Sequence, residues 1–315
     1  MTRARHPLAA TPGLRVLAAL LALGVVLLAP RVPAQTATGL DFPGSAAVTA
    51  AGPFPQTMRF RFTNPHLNGL PIYGPGNAGV TYVWRAYPRR QAGYYTAFFW
   101  GNDDGRNDIG TFLWLPNGAA DSYYGAHPYP QPPPTGSNHR WEIAIEQGDY
   151  LNGDVVYDRW FTQALRVWVD GQGRKHHEFY WDLPATDAAH VVERISDASW
   201  GNRVPPAPSL TWGDAPWAPG NEVWNGVLRG FQIYATALSP ADLAGEIALP
   251  GSTAAGRASI WYLNLNPTPA DITDKSGRGH HPAWVGPLRP TLWTGGAVPT
   301  TPPAAPTNLS VRPGR

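Results

Sequence analysis

Short stretches in which apolar and polar residues alternate recur along this chain, and that period of two constrains its fold more than any other feature. In Met58-Arg59-Phe60-Arg61-Phe62 the apolar residues take one face and the arginines the other. Val80–Trp84, Tyr94–Trp100 and Ile109–Leu115 are rich in aromatic and β-branched residues and also read as strands. The last two are joined by Asn102-Asp103-Asp104-Gly105-Arg106-Asn107-Asp108, residue types that tolerate a positive φ. Trp141, Ile143 and Ile145 alternate with Arg140, Glu142, Ala144 and Glu146, and Leu165, Val167 and Val169 alternate with Arg166 and Trp168. Val227–Tyr234 and Ile260–Leu263 bring the predicted strands to eight, the number a sandwich or jelly roll needs.

Composition supports an all-β chain: 14 Trp and 13 Tyr for strands, with 34 Gly and 35 Pro for the turns between them. One helix is expected, from Pro240 to about Ala248. Ser239 supplies an N-cap hydroxyl, Pro240 suits the first helical position and Asp242 the third. Pro128–Pro134 forces an extended surface loop. The expected fold is an all-β antiparallel sandwich of jelly-roll type with one short helix.

The first 34 residues read as an export signal. Arg3, Arg5 and Arg15 form a basic start, Val16–Ala29 is an uncharged apolar run too short to span a bilayer comfortably, and Val32-Pro33-Ala34 offers a small-residue cleavage site. The mature chain is then expected to begin at Gln35, outside the cytoplasm (secreted, extracellular or periplasmic), and to be free of the membrane. Four of the 24 basic residues (Arg3, Arg5, Arg15, Arg31) leave with the signal, so 20 face 22 acidic residues and the mature net charge is −2. The overall pI near 8.9 belongs to the precursor and gives no ground for nucleic-acid binding. The chain has no cysteine, which removes thiolate nucleophiles and sulfur-ligated zinc, and a chain of this length can bury a core without disulfides.

Leu40-Asp41-Phe42-Pro43-Gly44-Ser45, then Tyr157-Asp158-Arg159-Trp160-Phe161 with Leu165–Val169 and Asp170-Gly171, and last Trp224–Tyr234 followed by Leu238-Ser239 form three distinctive segments. In turn they resemble the opening strand, a central hairpin and the closing signature of the laminin-G-like members of the concanavalin A-like lectin/glucanase jelly rolls. Trp261-Tyr262-Leu263 through Asp274-Lys275-Ser276-Gly277-Arg278-Gly279-His280 resembles a hairpin that in the family comes before the opening strand. Here it follows the closing one, either as a second, truncated copy or as a permuted strand of the same sandwich. We expect permutation, because a lone hairpin cannot bury its own face. Residues 35–296 then form the jelly-roll domain. Residues 297–315 are a proline-rich linker in which Pro303–Val311 resembles the start of a fibronectin type III module.

The sharpest chemical candidate is the Trp141–Glu146 strand, which resembles the catalytic strand of the family's retaining glucanases. Alternation places Glu142 and Glu146 on one face, with Cα atoms about 13 Å apart. Retention needs carboxylates about 5 Å apart, so the two side chains would have to converge. Ala144 stands where those enzymes carry an aspartate that separates the two pKa values. The alternative is a strand with a plain solvent-facing polar side.

Asp103, Asp104, Asn107 and Asp108 put several hard oxygen ligands in one turn, as a Ca2+ site requires. The same residues suit the turn for backbone reasons alone. Asp271 and Asp274 carry a weaker calcium case through the resemblance. Tyr123, Tyr124, His127 and Tyr129 gather rings on a proline-stiffened segment just upstream of Arg140 and Glu142, a combination suited to stacking on sugars and hydrogen-bonding their hydroxyls. The function expected is a secreted, non-catalytic carbohydrate-binding or adhesion module with a glycan or polysaccharide as partner. The alternative is a glycoside hydrolase using Glu142 and Glu146, or a polysaccharide lyase, on the same fold.

Overall fold

The alternation becomes two antiparallel sheets in a computed structural model of the chain, which describes residues 36–45, 58–63, 70, 79–89, 95–101, 109–114, 123–126, 160–181, 191–197, 209–214, 220 and 223–295. Among them are fourteen strands: β1 (Thr38–Pro43), β2 (Arg59–Thr63), β3 (Val80–Pro88), β4 (Tyr95–Gly101), β5 (Ile109–Trp114), β6 (Tyr123–Ala126), β7 (Phe161–Val169), β8 (Arg174–Trp181), β9 (Val191–Asp197), β10 (Ser209–Trp212), β11 (Asn225–Tyr234), β12 (Ile260–Asn264), β13 (Ala283–Val285) and β14 (Thr291–Thr294). Eight form one sheet in the order β14-β1-β11-β3-β7-β8-β9, with β12 also on β11, and six form the other in the order β13-β2-β10-β4-β5-β6. The fold class is the all-β antiparallel sandwich that the sequence predicts.

The main core fills the space between the sheets with the inward positions of each. Leu40, Phe42, Phe60, Phe62, Trp84 and Trp212 are each 0 % exposed. Phe60 lies parallel to Trp212 at 6.3 Å, and Trp212 meets Phe231 at 4.5 Å, so rings from both sheets interlock. Gly213 takes φ +99°, and a Cβ there would stand 2.3 Å from the Phe42 ring, so the end of β10 needs a glycine to let that ring in.

The outward side of the larger sheet carries a second, smaller core of Val83, Ala164, Tyr180, Tyr234, Leu238 and Leu243. It lies under α1 (Pro240–Ala248), which starts as predicted: the Ser239 hydroxyl accepts the Asp242 N–H and Pro240 sits in the first turn. A second helix, α2 (Ala254–Ser259), was not expected, because Ala-Ala-Gly-Arg-Ala-Ser is short and contains glycine. The Thr253 hydroxyl caps it by accepting the Gly256 N–H. Beneath α1, Arg85 donates to the Gly230 carbonyl at 3.1 Å, the Gln232 amide oxygen at 2.8 Å and the Ile247 carbonyl at 2.8 Å. Burial pushes its guanidinium down to about 10, with the nearby Arg229 adding to the effect.

The C-terminal segment is not a hairpin. β12 pairs with β11 in the larger sheet, while β13 pairs with β2 in the smaller one. It joins the sandwich, with Trp261 5 % and Tyr262 0 % exposed. β1 and β12 share one edge of β11, β1 against its first half and β12 against its second. The strands the sequence hides are those whose composition departs from clean alternation. β8 opens Arg-Lys-His-His-Glu, and β13 and β14 are too short to show a period.

Candidate functional site

Three aromatic residues meet on the outward face of the larger sheet, beyond the ground covered by α1. Tyr87, on β3, is out of step with the inward residues Trp84 and Ala86. Trp160 immediately precedes β7, and Trp293 is on β14. The Tyr87 and Trp160 rings lie 5.7 Å apart with planes at 59°, and Trp160 and Trp293 lie 4.9 Å apart at 60°. All three side chains are partly exposed. Four strand spacings separate β7 from β14, roughly 19 Å along the sheet, so the indoles lean toward each other across it. On the strand between them Val227 takes the same face and is 1 % exposed, as a residue roofed by rings would be.

A charged pair borders this cluster. Asp41 sits opposite Val227, and Val227 sits opposite Tyr87, so the three form a row across the sheet. Arg89, just past β3, reaches back to Asp41 in a two-pronged contact, Nη1 to Oδ1 at 2.8 Å and Nη2 to Oδ2 at 2.9 Å. The Arg89 backbone is fixed by its N–H to the Asn225 carbonyl at 2.8 Å. Half-exposed rings beside a fixed donor–acceptor pair can stack on the C–H face of a sugar and hold its hydroxyls.

A second polar cluster lies farther along β7 and β8. His176 stacks on Trp168 at 4.6 Å and 7°, and the Arg166 guanidinium lies 4.8 Å from the centre of the same ring. Arg166 also donates to Glu178 and to the Tyr180 hydroxyl. Burial, with the hydrogen bond to Glu178, pushes the Tyr180 hydroxyl up to about 12. Asp170 closes the β7–β8 turn by accepting the Gln172 and Arg174 N–H groups on Oδ1 and His176 Nε2 on Oδ2. The His176 bond and then the Arg174 N–H hold that carboxyl well below the usual carboxylate range. These groups satisfy one another, and we read the cluster as the lock of a hairpin.

Asp274 and Asp271 are likewise engaged by protein donors. Asp274 Oδ1 accepts from the Leu263 and Ser276 N–H groups, and Oδ2 from the Ser276 hydroxyl and the His280 N–H. Asp271 accepts from the Thr273 N–H and hydroxyl and from the Lys275 ammonium. The lone pairs a cation would need on Asp274 are taken. No group of three acidic or histidine residues is spaced to hold a metal ion among the described residues.

Of the residues singled out from sequence, Tyr123 and Tyr124 fall on β6, opposite Trp114 and Leu113 of β5. Tyr123–Ala126 is therefore strand rather than loop, at one end of the smaller sheet among the described residues, and consecutive strand positions belong to opposite faces. His127, Tyr129, Arg140, Glu142, Glu146, Asp103, Asp104, Asn107 and Asp108 lie outside the described residues, as do the signal segment and the linker. Sequence reasoning missed Tyr87, Trp160, Trp293 and Arg89. The parity of β3 and β7 was the available signal, since both aromatic positions are out of step with their strands' inward residues.

No family model matches the chain, and no curated protein matches it in sequence. Among solved structures it is similar to the native heptameric SAP-like pentraxin from Limulus polyphemus, at 13 % identity over 67 % of this chain and 82 % of that one, with a TM-score of 0.39. A candidate carbohydrate binding protein from Bacteroides ovatus is similar at 10 % identity over 83 % and 61 %, TM-score 0.45. The CBM40 of the Ruminococcus gnavus IT-sialidase, bound to α2,3 sialyllactose, is similar at 12 % identity over 53 % and 80 %, TM-score 0.34. Among the described residues no helix is long and apolar enough to cross a membrane.

Proposed function

We propose that this protein is an exported, non-catalytic glycan-binding or adhesion module. The observation that carries the reading is the contact of Tyr87, Trp160 and Trp293 on the outward sheet face, bordered by the Asp41–Arg89 pair. A sandwich has no structural need to gather three partly exposed rings away from its core, whereas a sugar site needs rings and a few oriented polar groups together. A screen of the full chain against an array of glycans tests the reading: capture of one glycan class, weakened by Trp160→Ala, supports it, and capture of none rejects it.

The sequence-derived segment enters the proposal as a separate glycan contact formed by Tyr123, Tyr124, His127, Tyr129, Arg140 and Glu142, with one of the two adjacent tyrosines facing the sugar. Glu142→Gln separates binding from catalysis there. In a lectin it weakens binding modestly; in a glucanase using Glu142 and Glu146 it abolishes release of reducing ends. Calcium at Asp103, Asp104, Asn107 and Asp108 is tested by the effect of chelation on the melting temperature.

A further inference from the structure

We infer that the outward site takes a neutral glycan as a single soluble chain, in preference to an acidic glycan or a flat crystalline surface. The inference rests on the glycan-binding reading and concerns the ligand's class. Ring geometry excludes the flat surface. The Tyr87 and Trp160 planes differ by 59° and the Trp160 and Trp293 planes by 60°. Rings at such angles cannot lie on one plane, but they can line a chain whose successive sugar rings are turned relative to each other. The span is short as well, with neighbouring ring centres 5.7 and 4.9 Å apart. That distance suits one or two sugar units.

Charge decides between neutral and acidic sugars. Among the described residues Arg89 is the exposed cation at the cluster, its side chain 38 % exposed, and Asp41, 24 % exposed, holds it by both prongs. A carboxylate on a uronic or sialic acid would have to displace Asp41 or approach it against like charge. Arg229, another cation on this face, donates to the Leu265 carbonyl and the Asn266 side-chain oxygen. Arg85 is spent on carbonyl and amide oxygens beneath α1. Among the described residues, what remains at the cluster is a neutral donor–acceptor pair, which fits the adjacent hydroxyls of a neutral sugar.

The test titrates the full chain, by calorimetry at low and high salt, with neutral gluco-, xylo-, manno- and galacto-oligosaccharides and with oligouronates, and adds pull-down on crystalline cellulose and chitin. A neutral oligosaccharide should bind with little salt dependence. Trp160→Ala and, independently, Trp293→Ala should each weaken that binding about tenfold or more, as loss of a packed aromatic anchor does. Trp293 is on an edge strand, so its variant keeps the test alive if Trp160→Ala fails to fold. Asp41→Asn removes the charge that neutralises Arg89 and should raise oligouronate affinity several-fold. Tightest binding to oligouronates with steep salt dependence, or binding to crystalline particles alone, overturns the inference and leaves the glycan-binding reading standing. Neutral-glycan binding unchanged by both tryptophan variants moves the ligand off this site. No binding to any glycan overturns both.

Discussion

Asp274 Oδ1 accepts the backbone N–H of Leu263 at 3.1 Å, so the loop that follows β12 is clamped to the strand it has just left. The Lys275 N–H closes the same clamp by donating to the Leu263 carbonyl at 2.7 Å. The other Asp274 acceptor positions gather Ser276 and His280, and the Ile272 carbonyl accepts from the core hydroxyl of Tyr262 at 3.0 Å. Replacing Asp274 by alanine strands several buried donors at once. Asp274→Ala should lower the free energy of unfolding by about 3 kcal/mol, and Asp274→Asn by roughly half that. Urea denaturation measures both.

Three carboxylates make stability depend on pH in one direction. Hydrogen bonds from the Lys275 ammonium and then Thr273 hold Asp271 down to about 2. Asp170 is held lower still by His176 and Arg174. Burial alone would raise Asp274, but the hydrogen bonds from Ser276, Leu263 and His280 together outweigh it, and the net direction is downward. A group whose folded pKa lies below its unfolded value near 3.9 adds stability that is whole above that value and lost as pH falls toward the folded one. The melting temperature should therefore be level from neutral pH to about pH 4.5 and fall between about pH 4 and 2. Calorimetry across that range checks it, and Asp271→Asn should shallow the decline.

Much of this architecture can be read from the sequence because alternation and burial coincide. Phe60 and Phe62, or Leu165 and Val167, show their inward face directly. So does the cap of α1, where Ser239, Pro240 and Asp242 act through neighbours in the chain. What the sequence could not show is long-range. Trp160 and Trp293 meet only because β7 and β14 are held in one sheet, and neither residue carries a local mark of that contact. Asp41 looked like part of an opening strand, and its pairing with Arg89 depends on where β3 ends relative to β1. The chemistry proposed for Glu142 had the opposite character, a local pattern whose value depends on geometry the pattern does not contain.

Glu246 and Gly256 should prove coupled. Glu246 is 0 % exposed, and its carboxylate accepts from Tyr234, Gly251 and both the N–H and hydroxyl of Thr253. This ties α1 to the start of α2. A Cβ at position 256 would stand 2.0 Å from that carboxylate, so the helix approaches it on a bare glycine face. Glu246→Gln sets an amide N–H against backbone N–H groups and should cost about 3 kcal/mol. Gly256→Ala should cost about 1–3 kcal/mol by overpacking. In a double-mutant cycle Glu246→Ala should absorb most of the Gly256→Ala penalty, because the clash disappears with the carboxylate. Strict additivity would show that the two do not press on each other.

Two truncations should separate what the C-terminal strands do for binding from what they do for folding. Among the described residues β14 ends one side of the larger sheet, paired with β1 alone, and apart from Trp293 its residues are exposed, Leu292 at 49 %. Among the described residues, ending the chain after Arg289 removes the buried Pro290 and the mostly exposed β14 and leaves β1 paired with β11, so the melting temperature should drop by only a few degrees. The same truncation removes Trp293, and glycan binding should weaken about tenfold or more. Deleting residues 259–296 acts differently, because it takes Trp261 and Tyr262 out of the main core, where they pack against Phe62 at 5.3 and 4.8 Å. Each lost ring costs about 3–5 kcal/mol, and two such losses match the whole stability of an ordinary domain. That chain should fail to fold, with the bared edge of β11 driving aggregation. Circular dichroism and light scattering on the two truncations, with glycan binding on the shorter one, read all three outcomes. A chain ending at Arg289 that melts normally and binds with full affinity would show that Trp293 takes no part in the site.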